Sequence, residues 1–494
     1  MNTPLQGSRR EDTMSRTDFM SIVPLFILTS AAILILFSIA VKRNHKVIYL
    51  ITTVSLAADF VYLALYKAEA KWIIEPLFIF DGFGTFNTGL ILLTALAVTM
   101  ISYAYFEQRE ERKEEYYILL ILATLGAVVL VISKHFISLF LGLEILSVSL
   151  YSMIAYLRKR ERSDEAGIKY LILAAFSSAF LLFGMALVYA TTGTMEFAGI
   201  GKYLSSTGSL STILYTGFAL MIVGVGFKLS VVPFHMWAAD VYEGAPAPVT
   251  AFIATVSKGG MIALLVRFFE QVEGSKYPAL AISFTVIAIA SMFIGNFLAL
   301  RQANVKRILA YSSIAHIGYL LVAFLAGGKL GVEAVSFYLV AYFITTTGAF
   351  GVLATLSDKD RDAEQIDDYR GLFWTRPWTA AIFTAMLLSL AGIPLTAGFI
   401  GKFYIVAAGV NGHQWLLVIM LAVNSALGLY YYIKIIATMF DQREAGEEEP
   451  SDQLHPSIYI VSGVTMALLT VLLVWIGVAP GEILDLIQTL VVLN

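Results

Sequence analysis

The sequence predicts an all-α membrane protein with about fourteen transmembrane helices. Hydrophobic residues make up 58% of its 494 residues and charged residues only 14%, whereas a soluble domain carries roughly 25% charged residues. A helix of about 20 apolar residues crosses the hydrocarbon core of a bilayer, and apolar runs of that length recur along the whole chain. Several of these runs contain charged residues, which need a protein-lined or hydrated surrounding at that depth.

Breaks of charge, proline or glycine separate the predicted helices. Their ranges are 19–41, 47–66, 83–106, 116–133, 136–157, 168–191, 211–231, 246–267, 278–300, 307–327, 331–356, 378–407, 415–439 and 457–478. Helix 211–231 ends at Val232-Pro233, and helix 378–407 is too long for one straight span and contains Gly392 and Pro394. Lipid tolerates irregular backbone only where it is buried or lines a cavity. Both are therefore predicted to be broken helices at the working centre of a transporter.

Basic residues concentrate in the loops on one side of the predicted membrane. Examples are KRNHK at 42–46, RKR at 158–160 and RQANVKR at 301–307. Because cytoplasmic loops carry an excess of lysine and arginine, both termini are predicted to lie on the periplasmic face of a cell inner membrane. The polar N-terminal tail, 1–18, contains arginines and argues against this orientation.

Composition also excludes several kinds of function. A net charge of −3 provides no basic surface for nucleic acid. The absence of cysteine excludes disulfides, thiolate zinc sites and cysteine-ligated iron–sulfur clusters. The six histidines form no close ligand pair in the sequence. We therefore expect this chain itself to bind no metal or redox cofactor.

Four charged residues lie deep in the predicted spans: Glu144, Lys228, Lys258 and Lys402. Lys258 is twelve residues into its span, too central to reach the interface easily, and its small neighbours leave room for water. A buried lysine gains and loses a proton more readily than a hydrated one, and a nearby carboxylate such as Glu144 would oppose that change. Acids and bases in one membrane core predict a proton path.

Three of these four residues also have a structural interpretation. Lys228 lies five residues before Pro233, which we expect to disrupt the helix and leave unpaired carbonyls near the ammonium, but the side chain could also extend to the interface. Lys402 follows Pro394 by eight residues and could anchor a helix that restarts there. Glu144 could form a static ion pair with a lysine.

His316 lies near the middle of its span, close to Tyr311, Ser312 and Ser313. Histidine changes charge near neutral pH, so His316 could connect two halves of a proton relay. A hydrogen-bonded core histidine is the alternative interpretation.

Several segments resemble the antiporter-like subunits of respiratory complex I. They are FLGLEILSVSLY at 140–151, GFKLSVVPFHMWAADVYEGAPAPVTAFIATVSK at 226–258, KRILAYSSIAHIGYLLVA at 306–323, YRGLFWTRPW at 369–378 and SLAGIPLTAGFIGKFY at 389–404. The variant DVYEGAPAPV resembles the N subunit specifically, whereas the L, M and Mrp-type subunits carry a different loop. Ala239 departs from the proline that the family usually has before Asp240.

The resemblance implies two inverted five-helix repeats, 116–267 and 278–439, each with one broken helix. Three helices in 19–106 precede the repeats, and a transmembrane helix and tail at 457–494 follow them. Glu144, Lys228, Lys258 and Lys402 resemble the charged groups of the family, and His316 its polar linker between the repeats. In the family these groups form a hydrated axis parallel to the membrane.

The resemblance also implies partners and a function. Partners would be other membrane subunits of complex I, including neighbouring antiporter-like subunits and a lateral helix, and NADH, FMN, iron–sulfur clusters and quinone would bind in other subunits. The leading interpretation is a proton-translocating subunit of NADH:quinone oxidoreductase. A subunit of an Mrp-type cation/proton antiporter is the second, and a structural membrane subunit whose buried charges fix helix packing is the third.

Overall fold

The computed structural model describes residues 16–65, 72–109, 112–158, 160–208, 211–442 and 456–491. Most of the predicted polar tail, 1–18, lies outside these residues. The helices before the first predicted break are α1 Arg16–Val41, α2 His45–Leu65, α3 Gly82–Glu107, α4 Glu115–Ile132, α5 Phe136–Ile154, α6 Glu161–Thr192 and α7 Phe197–Thr207. A hairpin of β1 Trp72–Ile74 and β2 Phe78–Phe80, with Trp72 opposite Phe80, connects α2 to α3.

The middle of the chain contains the first break and the centre of the bundle. Its helices are α8 Thr212–Leu229, α9 Ala238–Gly244, α10 Ala247–Phe252, α11 Lys258–Gln271, α12 Pro278–Leu300, α13 Val305–Ala326 and α14 Gly328–Leu356. The remaining helices are α15 Leu372–Thr375, α16 Pro377–Ala391, α17 Ala397–Asn411, α18 Trp415–Phe440, α19 Pro456–Val478 and α20 Gly481–Leu490.

Thirteen helical segments of the described chain are long and apolar enough to cross a membrane, and the shorter α16 and α17 flank the second break. If α16 and α17 cross together, they supply the fourteenth of the predicted spans, and the predicted all-α membrane fold is confirmed. The core lies around Ala247–Gln271 and α13, whose apolar windows are 100% and 94% buried, whereas those of α1 and α2 are 28% and 22% buried.

Small residues allow the closest helix pairs to form. The α4–α5 and α12–α13 pairs both pack extensively. A Cβ on Gly126 would lie 2.5 Å from the backbone nitrogen of Leu146, and one on Gly295 would lie 2.8 Å from that of Ala315. Such contacts are typical of helices that associate inside membranes. The two pairs hold equivalent places in the two halves, as inverted repeats would require; the repeat boundaries themselves stay a prediction.

The loops that were predicted to share one side of the membrane contact each other. Arg43 pairs with Glu115 at 2.6 Å, and Arg160 pairs with Asp362 at 3.1 Å. We call this end of the bundle the basic face; it comprises the described residues of 42–44, 108–114, 155–160, 301–304 and 357–376. At the opposite face, Lys134 pairs with Glu75 at 2.9 Å. Which face meets the cytoplasm stays a prediction.

Both predicted helix breaks are present. Helix α8 ends at Leu229, and Ser230 adopts a left-handed conformation with φ of 58° before the chain continues to α9. Helix α16 ends at Ala391, and Gly392 has φ of +84°, a region that favours glycine. The Thr396 side chain accepts a hydrogen bond from the backbone nitrogen of Phe399 and starts α17.

The structure adds three features that the sequence did not reveal. A π-helical turn, Ile253–Ser257, interrupts the predicted continuous span 246–267 directly before Lys258. The connection 192–210 contains the amphipathic helix α7 rather than only polar loop. Helix α20 lies in the segment that was predicted as a tail, with the Leu490 backbone against Gly82 of α3. The hairpin is a small local departure from the all-α prediction.

Candidate functional site

Lys228 occupies the last turn of α8 and is 4% exposed. Its ammonium donates a 2.6 Å hydrogen bond to the Ser147 hydroxyl of α5 and lies 3.5 Å from the Tyr170 hydroxyl of α6. Because the ammonium is directed into this three-helix junction, the interpretation that Lys228 extends to the interface is wrong.

Two carbonyls at the end of α8 are paired with other donors, and the Lys228 ammonium contacts hydroxyls instead of carbonyls. The Trp237 indole nitrogen donates to the Phe227 carbonyl at 2.9 Å, and the Val231 backbone nitrogen donates to the Gly226 carbonyl at 3.0 Å. The helix stops at Leu229, before the proline, and the segment that follows it supplies donors for these two carbonyls. Only the hydroxyls remain for the ammonium.

Glu144 lies three residues before Ser147, one turn earlier on the same side of α5. The Ser178 hydroxyl of α6 donates to its carboxylate at 2.7 Å. Glu144 acts electrostatically on Lys228, but among the described residues no lysine or arginine nitrogen lies within 4.0 Å of the carboxylate. A static ion pair within the described chain is therefore absent, and the carboxylate stays partly exposed.

Lys258 begins α11 directly after the π-helical turn and is 1% exposed. A π-turn adds a residue to the helix and re-aims the side chains that follow it, and it is frequent at functional sites. The Lys258 ammonium donates to the Ser313 hydroxyl of α13 at 2.6 Å, and that hydroxyl shares a 2.6 Å hydrogen bond with the Tyr342 hydroxyl of α14.

His316 lies on α13, one turn after Ser313, and both of its ring nitrogens are hydrogen-bonded. Nδ1 lies 2.6 Å from the Tyr338 hydroxyl, and Nε2 lies 3.1 Å from the Tyr432 hydroxyl of α18. The Tyr432 hydroxyl also bonds to the Ser312 hydroxyl. These contacts fit both a relay histidine and a hydrogen-bonded core histidine, so they leave both interpretations of His316 open.

Lys402 is directed from α17 back to the end of α16. Its ammonium donates to the carbonyls of Leu390 and Ala391 and to the Ser425 hydroxyl of α18, each at 2.9 Å. These three acceptors use all three ammonium protons. The freed carbonyls that were expected near Lys228 are thus found at Lys402, and the interpretation of Lys402 as an interfacial anchor is wrong.

Tyr319 connects Lys402 to the histidine. Its ring centre lies 5.3 Å from the Lys402 ammonium and 5.4 Å from that of the His316 ring. Both Lys258 and Lys402 act electrostatically on His316. The structure therefore places His316 between Lys258 of the first predicted repeat and Lys402 of the second, as the resemblance implied for a linker.

Four of the five predicted residues are buried and Glu144 is partly exposed, and the hydrogen bonds around them are not continuous. The Lys228 contacts and the Lys258 contacts form two separate networks among the described residues. Between them lies Tyr242 of α9, which is fully buried and whose hydroxyl has no hydrogen-bond partner there. Its ring centre lies 5.7 Å from the Lys258 ammonium, and its hydroxyl is close enough to Tyr342 and Ser313, and less strongly to Tyr170, for electrostatic interactions.

Sequence reasoning identified the lysines, Glu144 and His316 but not the hydroxyl groups that contact them. Ser147 and Tyr170 come from helices far from Lys228 in sequence, and only the fold brings them together. A signal was present for Ser313 and Ser312, which lie one turn before His316. Tyr242 stands within the motif DVYEGAPAPV, but nothing in that motif indicates that its side chain is directed to the lysines.

Comparisons with protein families and with solved structures identify similar proteins. A family model described as "NADH:quinone oxidoreductase/Mrp antiporter, TM" matches residues 133–428. A chain of respiratory complex I from Thermus thermophilus is 30% identical, with a TM-score of 0.79 over 94% of this chain and 98% of that chain. A chain of the membrane-bound sulfane sulfur reductase, an archaeal respiratory membrane complex, is 25% identical, with a TM-score of 0.82 over 95% and 96% of the two chains.

A chain of the Mrp complex from Dietzia sp. DQ12-45-1b has a TM-score of 0.83 over 96% of this chain and 97% of that chain. At 21% identity, this likeness shows the fold alone. All three similar chains come from multi-subunit membrane complexes.

Proposed function

Because the chain belongs to the NADH:quinone oxidoreductase/Mrp antiporter transmembrane family, we propose that it is a proton-translocating N-type subunit of a complex I-like oxidoreductase. The observation that carries this proposal is the chemistry around three buried ammonium groups. Lys228, Lys258 and Lys402 donate only to hydroxyls and carbonyls. No described carboxylate oxygen lies within 4.0 Å of any of them.

Buried charge without a counter-ion argues against a purely structural role. Charged residues at membrane depth are costly, and when present they normally pair or mark an ion or proton pathway. A lysine that only fixed helix packing would be expected to have a carboxylate partner, as Lys306 has in Asp362 at 2.9 Å. The three lysines lack such a partner, so a neutral amine is accessible to each of them and a proton can move.

In the proposed transfer, each lysine passes a proton to the neutral groups around it. From Lys258, the Nζ proton passes to the Ser313 oxygen as the Ser313 hydroxyl proton passes to the Tyr342 oxygen and the Tyr342 hydroxyl proton passes to water, so that each hydroxyl stays neutral. Water molecules would complete the path to His316, because buried polar groups with unused hydrogen-bonding capacity hold water. From His316, the proton would pass to Lys402 through the space beside Tyr319.

Tyr242 fills the gap between the two networks. A buried hydroxyl without a partner costs about 1–3 kcal/mol, and a water molecule that bridges it to Tyr170 or Ser313 would remove that cost. We assign Tyr242 the role of positioning this water between Lys228 and Lys258. The Tyr242 hydroxyl then binds the water of the proton path, and its aromatic ring packs in the core.

Glu144 is proposed to connect this chain to its neighbour. On its helix it is surrounded by Ile137, Leu141 and Val148, which are 54%, 48% and 58% exposed. A carboxylate that faces lipid at membrane depth is costly, so we expect another protein surface to bury this apolar face. A neighbouring antiporter-like membrane subunit would bury this face and bring a proton donor or acceptor to the carboxylate, from which Lys228 is next along the path.

The redox chemistry would lie in other subunits. NADH, FMN, iron–sulfur clusters and quinone would bind there, and quinone reduction would supply the energy for transfer in this chain. The motif DVYEGAPAPV favours this assignment over the second candidate, an Mrp-type cation/proton antiporter subunit.

Purification of the tagged full-length chain with its natural partners distinguishes the two. Co-purification of flavin and iron–sulfur subunits, together with NADH-dependent quinone reduction, is the expected result. Co-purification of membrane subunits alone, with sodium/proton exchange in vesicles, would instead establish the antiporter.

A further inference from the structure

A groove of about 910 Å³ opens at the basic face between α4, α5 and α6. Its walls on the membrane side are apolar and include Ile118, Leu119, Ile168 and Leu171. At 1.5 Å per residue, the distance from the start of α6 to Leu171 is about 15 Å. The predicted span of this helix begins at residue 168, so Asp164 lies at the membrane surface, and Ile168 and Leu171 lie in the first turn of the helix inside the hydrocarbon core.

The mouth of the groove carries two arginines without partners. Arg112 and Arg158 are both exposed, and in the described chain no carboxylate oxygen lies within 4.0 Å of either guanidinium. The Tyr156 hydroxyl donates to the Arg112 carbonyl and accepts from the backbone nitrogen of Tyr116 at 2.9 Å. These bonds hold the Arg112 loop against the end of α5, beside the groove.

Two acidic residues also line the mouth. Glu115 lies 2.6 Å from Arg43, which is also 3.7 Å from Glu114. Asp164 is exposed and has no cation within 4.0 Å in the described chain. Among the described residues that line the groove, Arg112 and Arg158 are thus the cations that are left without a carboxylate partner and can bind an anion.

We propose that this groove binds a glycerophospholipid with an anionic headgroup, whose phosphate is held by Arg112 and Arg158. Guanidinium groups bind phosphate through paired N–H donors, and anionic lipids attract basic residues at the membrane surface. The acyl chains would lie along Ile118, Leu119 and Leu171.

The lipid site is separate from the proposed docking face of Glu144. The groove uses residues 151–158 at the basic-face end of α5, whereas the exposed apolar residues around Glu144 lie between 137 and 148. A neighbouring subunit can therefore cover residues 137–148 of α5 while the lipid contacts residues 151–158 at the basic face.

Native mass spectrometry of the purified complex, titrated with phosphatidylglycerol, tests the proposal. We expect Arg112→Gln/Arg158→Gln to weaken the tightest phosphatidylglycerol site at least tenfold, and Arg112→Lys/Arg158→Lys to retain more of the binding. Arg301→Gln, a change at an exposed arginine of the same face outside the groove, is the matched control and should bind as the wild type does.

Three results would overturn the lipid site. One is undiminished phosphatidylglycerol binding by the double glutamine variant in an intact complex. Another is binding of inorganic phosphate alone with the same affinity, which would leave the apolar walls without a role. The third is capture of a neighbouring subunit, rather than lipid, by a photo-crosslinking residue placed at Ser152.

Discussion

The Lys306 ammonium and the Asp362 carboxylate form a 2.9 Å ion pair in which both side chains are almost completely buried. Lys306 also donates to the backbone carbonyls of Glu243 and Ala245. The same carboxylate accepts from Arg160 and Tyr105. One carboxylate of the loop after α14 thus connects α3, the start of α6 and α13 at the basic face, and its partner Lys306 extends the connection to α9.

Asp362→Asn should strongly destabilise this end of the bundle. The change removes one partner of a buried pair and leaves the Lys306 charge uncompensated, which typically costs about 3–5 kcal/mol. We expect a lower melting temperature of the purified protein. Asp367→Asn, which removes an exposed pair with Arg370 in the same loop, is the control. Equal melting temperatures for the two variants would contradict the assignment.

The stability contributed by Asp362 should depend on pH in one direction. Burial alone would raise the pKa of this carboxyl, but Lys306 and Arg160 outweigh burial and hold the pKa well below its usual range. A group with a depressed folded-state pKa contributes fully above its unfolded pKa, about 3.9, and loses that contribution as pH falls toward the folded value. The difference in stability between wild type and Asp362→Asn should therefore be constant from pH 7 to 5 and shrink below about pH 4. If the stability difference between wild type and Asp362→Asn grew as the pH fell, the pKa of Asp362 could not be depressed in the folded protein.

Gly392→Ala should displace the Lys402 ammonium. A Cβ at this residue would lie 2.8 Å from the Lys402 Cδ and 3.1 Å from its Nζ, at a φ of +84°. Gly193→Ala is a matched control, because Gly193 has φ of +71° but no atom within 4 Å of the added Cβ. Both variants carry the backbone strain, but only Gly392→Ala should slow proton pumping per assembled complex. Equal pumping by the two would show that the Lys402 position is not sensitive to this contact.

Tyr242→Phe should reduce proton pumping without loss of stability. The change keeps the buried ring and removes a hydroxyl that makes no hydrogen bond within the described residues, so assembly and melting temperature should match the wild type or improve. We expect a severalfold slower pumping rate, with a larger solvent isotope effect if the bridging water is lost. Unchanged pumping would show that Tyr242 is not part of the proton path. It would not change the roles assigned to the lysines.

The sequence predicted the helices of this protein better than the polar contacts between them. Apolar runs, prolines and glycines predicted the spans and both broken helices because those features act locally. The π-turn before Lys258 was not predictable, since no residue type marks it. Carbonyl partners were expected at Lys228 but were found at Lys402. At the second break, the carbonyls of Leu390 and Ala391 accept from the Lys402 ammonium. At the first break, the Trp237 indole donates to the freed carbonyl of Phe227. That difference depends on tertiary contact rather than on the proline.

Proton pumping by the assembled complex with Lys258→Ala, reconstituted in vesicles and driven by the natural electron donor, tests the central claim most directly. The control is Lys434→Ala, a change at an exposed lysine of α18. Because Lys258 donates only to a neutral hydroxyl, its removal should leave assembly intact, abolish most pumping and leave the control at wild-type rates. Full pumping by an assembled Lys258→Ala complex would contradict the claim that buried lysines of this chain carry protons.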